Sequence, residues 1–254
     1  MWLTIDIGNT NTSFGIWEGK KLKEVFTLPT EKNKEPLISL KKELKQKKIK
    51  KIDIQKIIIA SVVPQIDYKY LSFFKAKYVE PVFMTALADL GLKIKYNKPE
   101  DIGADRIANA YAVTHFYQGD IVVIDFGTAI TFDVITSKKE YIGGLILPGL
   151  ETAKNALVAK ASLLYDFELK KPKSLIANTT CEAMRSGIYY GYVCLVKALI
   201  QRIKQELKSK KITVVLTGGQ ADFVGKEIPE IEGIEPNLVH LGLKLFGEKN
   251  EEKV

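Results

Sequence analysis

Two stretches of the chain carry the same alternation of apolar and polar positions. The first is Leu3-Thr4-Ile5-Asp6-Ile7-Gly8-Asn9-Thr10-Asn11-Thr12-Ser13-Phe14-Gly15-Ile16-Trp17, and the second is Ile121-Val122-Val123-Ile124-Asp125-Phe126-Gly127-Thr128-Ala129-Ile130-Thr131-Phe132-Asp133-Val134-Ile135. Each is a short apolar strand ending in Asp-apolar-Gly, then a hydroxyl-rich turn, then a β-branched and aromatic strand. That pattern predicts a β-hairpin. Asp6 and Asp125 are 119 residues apart, almost half the chain. A half-chain repeat predicts two similar domains facing each other, residues 1–117 and 118–254, rather than a solenoid.

The remainder alternates between the two periods. Helices are expected over 36–48, 66–78, 104–117, 149–161 and 181–208. Strands are expected over 53–62, 81–84, 141–149 and 211–217, with a helix-like stretch after Gly218-Gly219. Strands alternating with helices indicate an α/β architecture with mixed sheets.

Composition narrows the class. The chain has 254 residues, 46% of them hydrophobic and 27% charged, enough apolar material for a core and too much for a disordered chain. No apolar run approaches the roughly 18 residues of a membrane span. The N-terminus lacks the basic and apolar regions of a signal peptide, so a cytoplasmic protein with no membrane partner is expected. Two cysteines, Cys181 and Cys194, and two histidines, His115 and His240, argue against a disulfide scaffold or a zinc site. Both thiols are expected to be buried. The net charge is +8, concentrated in segments such as residues 41–51. That run has no aromatic residue and fits the solvated face of a helix, so no nucleic-acid partner is expected.

The hairpin turns carry candidate chemistry. Gly8 allows backbone N–H groups to approach phosphates, while Asn9, Thr10 and Thr12 add polar groups. Asp6 at a strand end can hold Mg²⁺ directly or through water. Taken alone, the segment is also an ordinary Asn/Gly/Thr turn. The recurrence at Asp125-Phe126-Gly127-Thr128 favours a clamp on β- and γ-phosphates. Gly103-Ala104-Asp105-Arg106 opens a helix, whose N-terminus attracts anions. Arg106 offers a fork for a carboxylate and Asp105 a general base; a capping Asp–Arg pair is the plainer alternative. Val214–Gly219 reads as a strand ending in a glycine turn.

These motifs, in this order and with Gly143-Gly144-Leu145-Ile146-Leu147-Pro148-Gly149 and Glu182-Ala183-Met184-Arg185-Ser186-Gly187 after them, resemble the type III pantothenate kinases. That family lies in the superfamily of acetate and sugar kinases, heat-shock chaperones and actin. The resemblance runs from residue 3 to about 225. It implies two ribonuclease H-like, actin-like domains with mixed β-sheets and an interdomain cleft. It implies ATP-dependent phosphorylation of pantothenate to 4′-phosphopantothenate, the first step of coenzyme A synthesis. By similarity, Asp6, Ile7, Gly8, Asn9, Thr10, Asn11, Thr12, Ser13 and Thr128 hold ATP. Tyr96, Gly103, Ala104, Asp105, Arg106 and Thr180 contact pantothenate; Thr179 is the alternative to Thr180. Asp105 is the base, and Asp125 binds a monovalent cation, K⁺ or NH₄⁺. Gly143 and Gly144 allow backbone approach at the substrate pocket. For Val214–Gly219 the resemblance implies an adenosine contact as the alternative. A homodimer is implied, for which Tyr189, Tyr190 and Tyr192 offer an aromatic surface or else core. The competing functions are a kinase of another small hydroxy acid or sugar and a nucleotide-binding regulator.

Overall fold

The computed structural model describes residues 1–30, 37–75 and 79–251. Residues 36 and 76–78, at the ends of two expected helices, lie outside the described residues. The chain forms two compact units, Met1–His115 with Asn237–Val254, and Phe116–Pro236. The first crossing falls close to the expected division at 117/118. The return at Asn237 places the C-terminal segment in the first unit, where the expectation had it in the second.

Unit 1 opens with β1 (Trp2–Ile7), β2 (Asn11–Glu18) and β3 (Lys21–Pro29), followed by α1 (Leu37–Gln46), β4 (Lys56–Ser61), α2 (Asp67–Lys75), β5 (Val82–Phe83), β6 (Lys93–Ile94) and α3 (Ala104–Phe116). Its sheet has the order β3-β2-β1-β4-β5. The β1–β2 and β2–β3 pairs are antiparallel, and β1–β4 and β4–β5 are parallel. The apolar half of the β1–β2 alternation faces one way: Leu3, Ile5, Ile7, Phe14 and Ile16 form a core with Leu40 and Leu44 of α1 and Tyr70, Phe73 and Phe74 of α2. Truncating such a buried Ile or Leu to Ala costs about 2–5 kcal/mol. The expectation missed β3, whose burial alternates only weakly among charged residues. That is how an edge strand guards its unpaired backbone.

Unit 2 repeats the plan. It contains β7 (Asp120–Phe126), β8 (Ala129–Ile135), β9 (Glu140–Pro148), α4 (Leu150–Lys160), α5 (Thr180–Glu206), β10 (Ile212–Thr217), α6 (Ala221–Gly225) and β11 (Ile231–Ile234). Its strands run in the order β11-β10-β7-β8-β9, with β7–β8 and β8–β9 antiparallel and β7–β10 and β10–β11 parallel. This is the topology of unit 1, strand for strand. Asp6 pairs with Ser13 and Ala60, and Asp125 holds the equivalent place opposite Thr131 and Thr217. The core gathers Val122, Ile124 and Phe132 from the sheet with Ile188, Val193, Val196 and Ile200 from α5.

The chain then returns to unit 1 as α7 (Leu238–Glu251). This helix lies on the other, mixed face of β1–β2, made by Trp2, Thr4, Ser13 and Gly15. A Cβ on Gly247 would stand 2.7 Å from the Trp2 ring, and one on Gly15 would stand 2.9 Å from Nδ1 of His240. Lys244 lies over the Trp2 ring, 3.3 Å from its centre.

Candidate active site

The first hairpin is ordered by its own polar groups. The Gly8 N–H donates to the Asn11 carbonyl at 3.0 Å, closing the turn, and the Thr30 hydroxyl donates to the Gly8 carbonyl at 2.8 Å. Thr12 is 1% exposed. Its hydroxyl shares a hydrogen bond with Thr30 at 2.9 Å, so its side chain orders the turn from the core side. Asn9, Thr10 and Asn11 project into solvent, and Asp6 and Ser13 are half-buried. Opposite residues of an antiparallel pair present their side chains on one face, so Asp6 and Ser13 stand together there.

The Gly103–Arg106 segment is the N-terminus of α3, with the Ile107 N–H bonded to the Gly103 carbonyl at 3.2 Å. Asp105 sits in the first turn and accepts from the Arg106 N–H at 2.7 Å. Burial pushes its carboxyl up from the ordinary aspartate value, against the lowering pull of Arg106 and its N–H. A carboxylate whose pKa burial raises takes a proton more readily than an ordinary aspartate. Arg106 is buried at 8% exposure. Val62 links this segment to the hairpin: its N–H donates to the Ile7 carbonyl at 3.0 Å, and an added Cβ on Gly103 would stand 3.1 Å from its Cγ1. The Gly8–Asn11 turn and the Gly103–Arg106 segment are thus neighbours within unit 1.

In unit 2 the Gly127 N–H donates to the Ala129 carbonyl at 3.1 Å, forming the second turn. Thr128 is exposed, and its carbonyl accepts from the Gly149 N–H at 2.9 Å and the Thr152 hydroxyl at 2.7 Å at the start of α4. The Gly218 turn after β10 lies against Asp125. Gly218 has φ +90°, and a Cβ there would collide with Asp125 Oδ1 and stand 2.6 Å from the Phe126 N. Asp125, Thr128 and Gly218 therefore share one end of the sheet. Among the described residues, no cluster of three or more His, Cys, Asp or Glu side chains is arranged to hold a metal. Asp6 and Asp125 each bring a carboxylate to the end of a strand, and Mg²⁺ is commonly bound by one or two carboxylates with water and phosphate oxygens completing its shell.

Other expectations are resolved locally. Thr179 is the N-cap of α5, its hydroxyl accepting from the Glu182 N–H at 3.3 Å, while Thr180 is the exposed first helical residue. Arg185 pairs with Glu182 and donates from Nε to the Glu168 carbonyl at 2.9 Å, so that motif pins a loop to α5. Gly143, with φ +107°, marks a bulge between Val134 and Ile135, and a Cβ on Gly144 would stand 2.7 Å from the Phe132 carbonyl carbon. Both glycines therefore have a reason inside the sheet. Of the two readings of the tyrosines, core holds for Tyr189, which is 2% exposed and packs edge-on against Phe223 and Tyr190; Tyr190 and Tyr192 are half-buried, and Tyr192 donates to the Pro148 carbonyl at 2.8 Å. Helical periodicity puts Tyr189 on the buried stripe of α5 and leaves Tyr190 and Tyr192 at its margins. The buried-thiol expectation is corrected, since Cys194 is exposed and Cys181 half-buried on α5. Tyr96 is 40% exposed in the loop after β6. Of the basic run, Lys47 pairs with Glu24 and, at 3.2 Å, with Glu43.

Sequence reasoning missed His240, Thr4, Trp17 and Thr30 as supports of the first hairpin. The available signal was Thr4, a polar residue inside an apolar strand, and His240, a lone histidine in a segment that the expectation left unassigned.

Comparison with known proteins places the chain. Residues 2–202 match the family described as type III pantothenate kinase. A protein of Geobacillus kaustophilus (strain HTA426), named type III pantothenate kinase, is 38% identical over 260 residues, covering 100% of this chain and 99% of its own. Two solved structures share the fold at lower identity. One is a conserved Campylobacter jejuni protein of the Baf family, with TM-score 0.65, 24% identity and coverage of 98% and 99%. The other is the activator of the 2-hydroxyisocaproyl-CoA dehydratase from Clostridium difficile with bound ADPNP, with TM-score 0.55, 16% identity and coverage of 99% and 96%. The doubled sheet topology, the two Asp-x-Gly hairpins and full-length similarity agree, and the chain belongs to the type III pantothenate kinase family.

Proposed function

We propose that this chain transfers the γ-phosphoryl group of ATP to the hydroxyl of pantothenate, giving 4′-phosphopantothenate for coenzyme A synthesis. The observation that carries this is the pairing of a phosphate-type turn at Gly8–Asn11 with a helix terminus bearing Asp105 and Arg106, joined through Val62.

Phosphoryl transfer needs positioning and charge neutralisation more than covalent help. In this reading the backbone N–H groups of the turn between Asp6 and Ser13 and the side chains of Asn9, Thr10 and Asn11, with Thr128, hold the ATP phosphates, and Asp6 and Ser13 stand beside them. Thr12 acts through the order it imposes on the turn. Arg106 takes the pantothenate carboxylate, and Tyr96, Gly103, Ala104 and Thr180 complete the acceptor site. Asp105 receives the hydroxyl proton as the new O–P bond forms and the β–γ bridge bond breaks, releasing ADP. Asp6 would hold Mg²⁺ through water, and the ion would supply charge neutralisation. Asp125 takes K⁺ or NH₄⁺.

A homodimer in the cytoplasm completes the proposal. It is supported by apolar side chains left open on unit 2, with Leu163 and Ile176 each 88% exposed and Ile146 65% exposed. Exposed apolar side chains that join into one patch mark an interaction surface, and these three are the candidates to form it. No described helix is long and apolar enough to cross a membrane. A coupled ADP-release assay tests the activity: pantothenate should stimulate release well above a panel of sugars and hydroxy acids. A rate no higher than in buffer would sink the assignment.

A further inference from the structure

His240 is joined to the first hairpin at both ring nitrogens. It is 1% exposed. Nδ1 lies 2.9 Å from Thr4 Oγ1 and Nε2 lies 2.8 Å from Ser13 Oγ. Thr4 Oγ1 has two further partners: it accepts from Trp17 Nε1 at 3.0 Å and donates to the Gly15 carbonyl at 3.2 Å. An indole N–H can only donate and a carbonyl can only accept. With all three contacts kept as hydrogen bonds, the single Thr4 proton goes to Gly15, and Nδ1 carries a proton and donates to Thr4. Nε2 is then the bare nitrogen, and it accepts the proton of Ser13. Gly15 makes room for this arrangement, since a Cβ there would stand 2.5 Å from Thr4 Oγ1 and 2.9 Å from Nδ1. Burial holds the imidazole neutral, its pKa lowered to about 4.

The consequence reaches the candidate nucleotide site. With its proton turned toward His240, Ser13 has only lone pairs to offer elsewhere. It stands opposite Asp6 in the β1–β2 register. An oxygen that can only accept is poorly matched to a phosphate oxygen and well matched to a water bound to a cation. We infer that His240 is a positioning residue that fixes Ser13 as a hydrogen-bond acceptor beside Asp6, so that these two side chains serve the water shell of Mg²⁺ and not the phosphates directly. The inference rests on the nucleotide reading of residues 6–13.

Calorimetric titration of ADP, with Mg²⁺ and with EDTA, separates the two. Mg²⁺ should strengthen ADP binding to the unmodified protein. Groups that orient a metal's partners typically contribute 10–100-fold in metal affinity. Ser13→Ala and His240→Asn should each remove roughly that factor from the Mg²⁺-dependent gain, leave binding in EDTA unchanged, and show no further loss when combined. His240→Gln places an acceptor oxygen near Ser13 and should keep most of the gain; it also serves if the Asn variant does not fold. A full Mg²⁺ gain in His240→Asn beside a reduced one in Ser13→Ala overturns the role of His240 and leaves the hairpin reading standing. Equal losses with Mg²⁺ and with EDTA overturn it as well, pointing to a purely structural role. Absence of ADP binding to the unmodified protein overturns the hairpin reading and this inference together.

Discussion

Gly218 and Asp125 stand so close that glycine is required: a Cβ on Gly218 would collide with Asp125 Oδ1, and the backbone holds φ +90°. The turn after β10 therefore acts as the wall of the Asp125 position. Gly218→Ala combines a strained φ with a steric clash, each worth about 1–3 kcal/mol. Chemical denaturation should show a loss of roughly 3 kcal/mol; an unchanged midpoint would mean that the turn can move away from Asp125.

The same wall bears on ion dependence. In the proposed function Asp125 takes a monovalent cation. Activity should rise when Na⁺ is replaced by K⁺ or NH₄⁺, and Asp125→Asn should abolish that difference. Equal rates of the unmodified protein in all three salts would remove the cation from the proposal.

Asp105→Asn keeps the size of the side chain but cannot take a proton. A general base contributes about 10²–10⁴-fold, so kcat should fall by that order while ATP binding holds. Because burial raises the Asp105 pKa, the acid limb of the kcat/KM profile should lie above the ordinary aspartate range. Near wild-type kcat in the Asn variant would reduce the segment to a helix cap with an anion-binding arginine.

His240 gives stability a definite pH dependence. Its pKa is lowered from 6.5 to about 4 in the fold, so the unfolded chain takes up a proton first as pH falls. The neutral ring's contribution is complete above about pH 6.5 and is lost progressively between there and pH 4. The full change is about 3 kcal/mol. Urea melts of the protein without nucleotide or metal, at several pH values, should show this slope, and His240→Asn should lack it. A slope that is the same in both proteins would assign the acid sensitivity to other groups.

The dimer prediction concerns Ile146 on β9, which is 65% exposed. Light scattering should give about twice the single-chain 28.5 kDa, and Ile146→Asp should shift the population toward monomer. A mass near 28.5 kDa for the unmodified protein at micromolar concentration would refute it.

The sequence by itself determined the duplicated hairpins, the alternation of strands and helices, and the chemistry of Asp6, Asp105, Arg106 and Asp125 as candidates. These features are local: a period of two along β1 or β7, a glycine at a turn and a charged pair opening a helix depend on near neighbours in the chain. The ordered motifs also carried the family. Only the tertiary structure decided which hydroxyl of the first turn faces the core, because Thr12 and Ser13 are adjacent and the register alone sends them to opposite faces. It decided that Tyr189 belongs to the core and Cys194 to the surface, since both lie on one long helix whose buried stripe depends on its partners. It also decided that α7 crosses back to unit 1 and sets His240 against Thr4, 236 residues away in sequence. No local pattern encodes that contact: it arises because the mixed face of β1–β2 needs a covering helix, and the fold brings one from the far end of the chain.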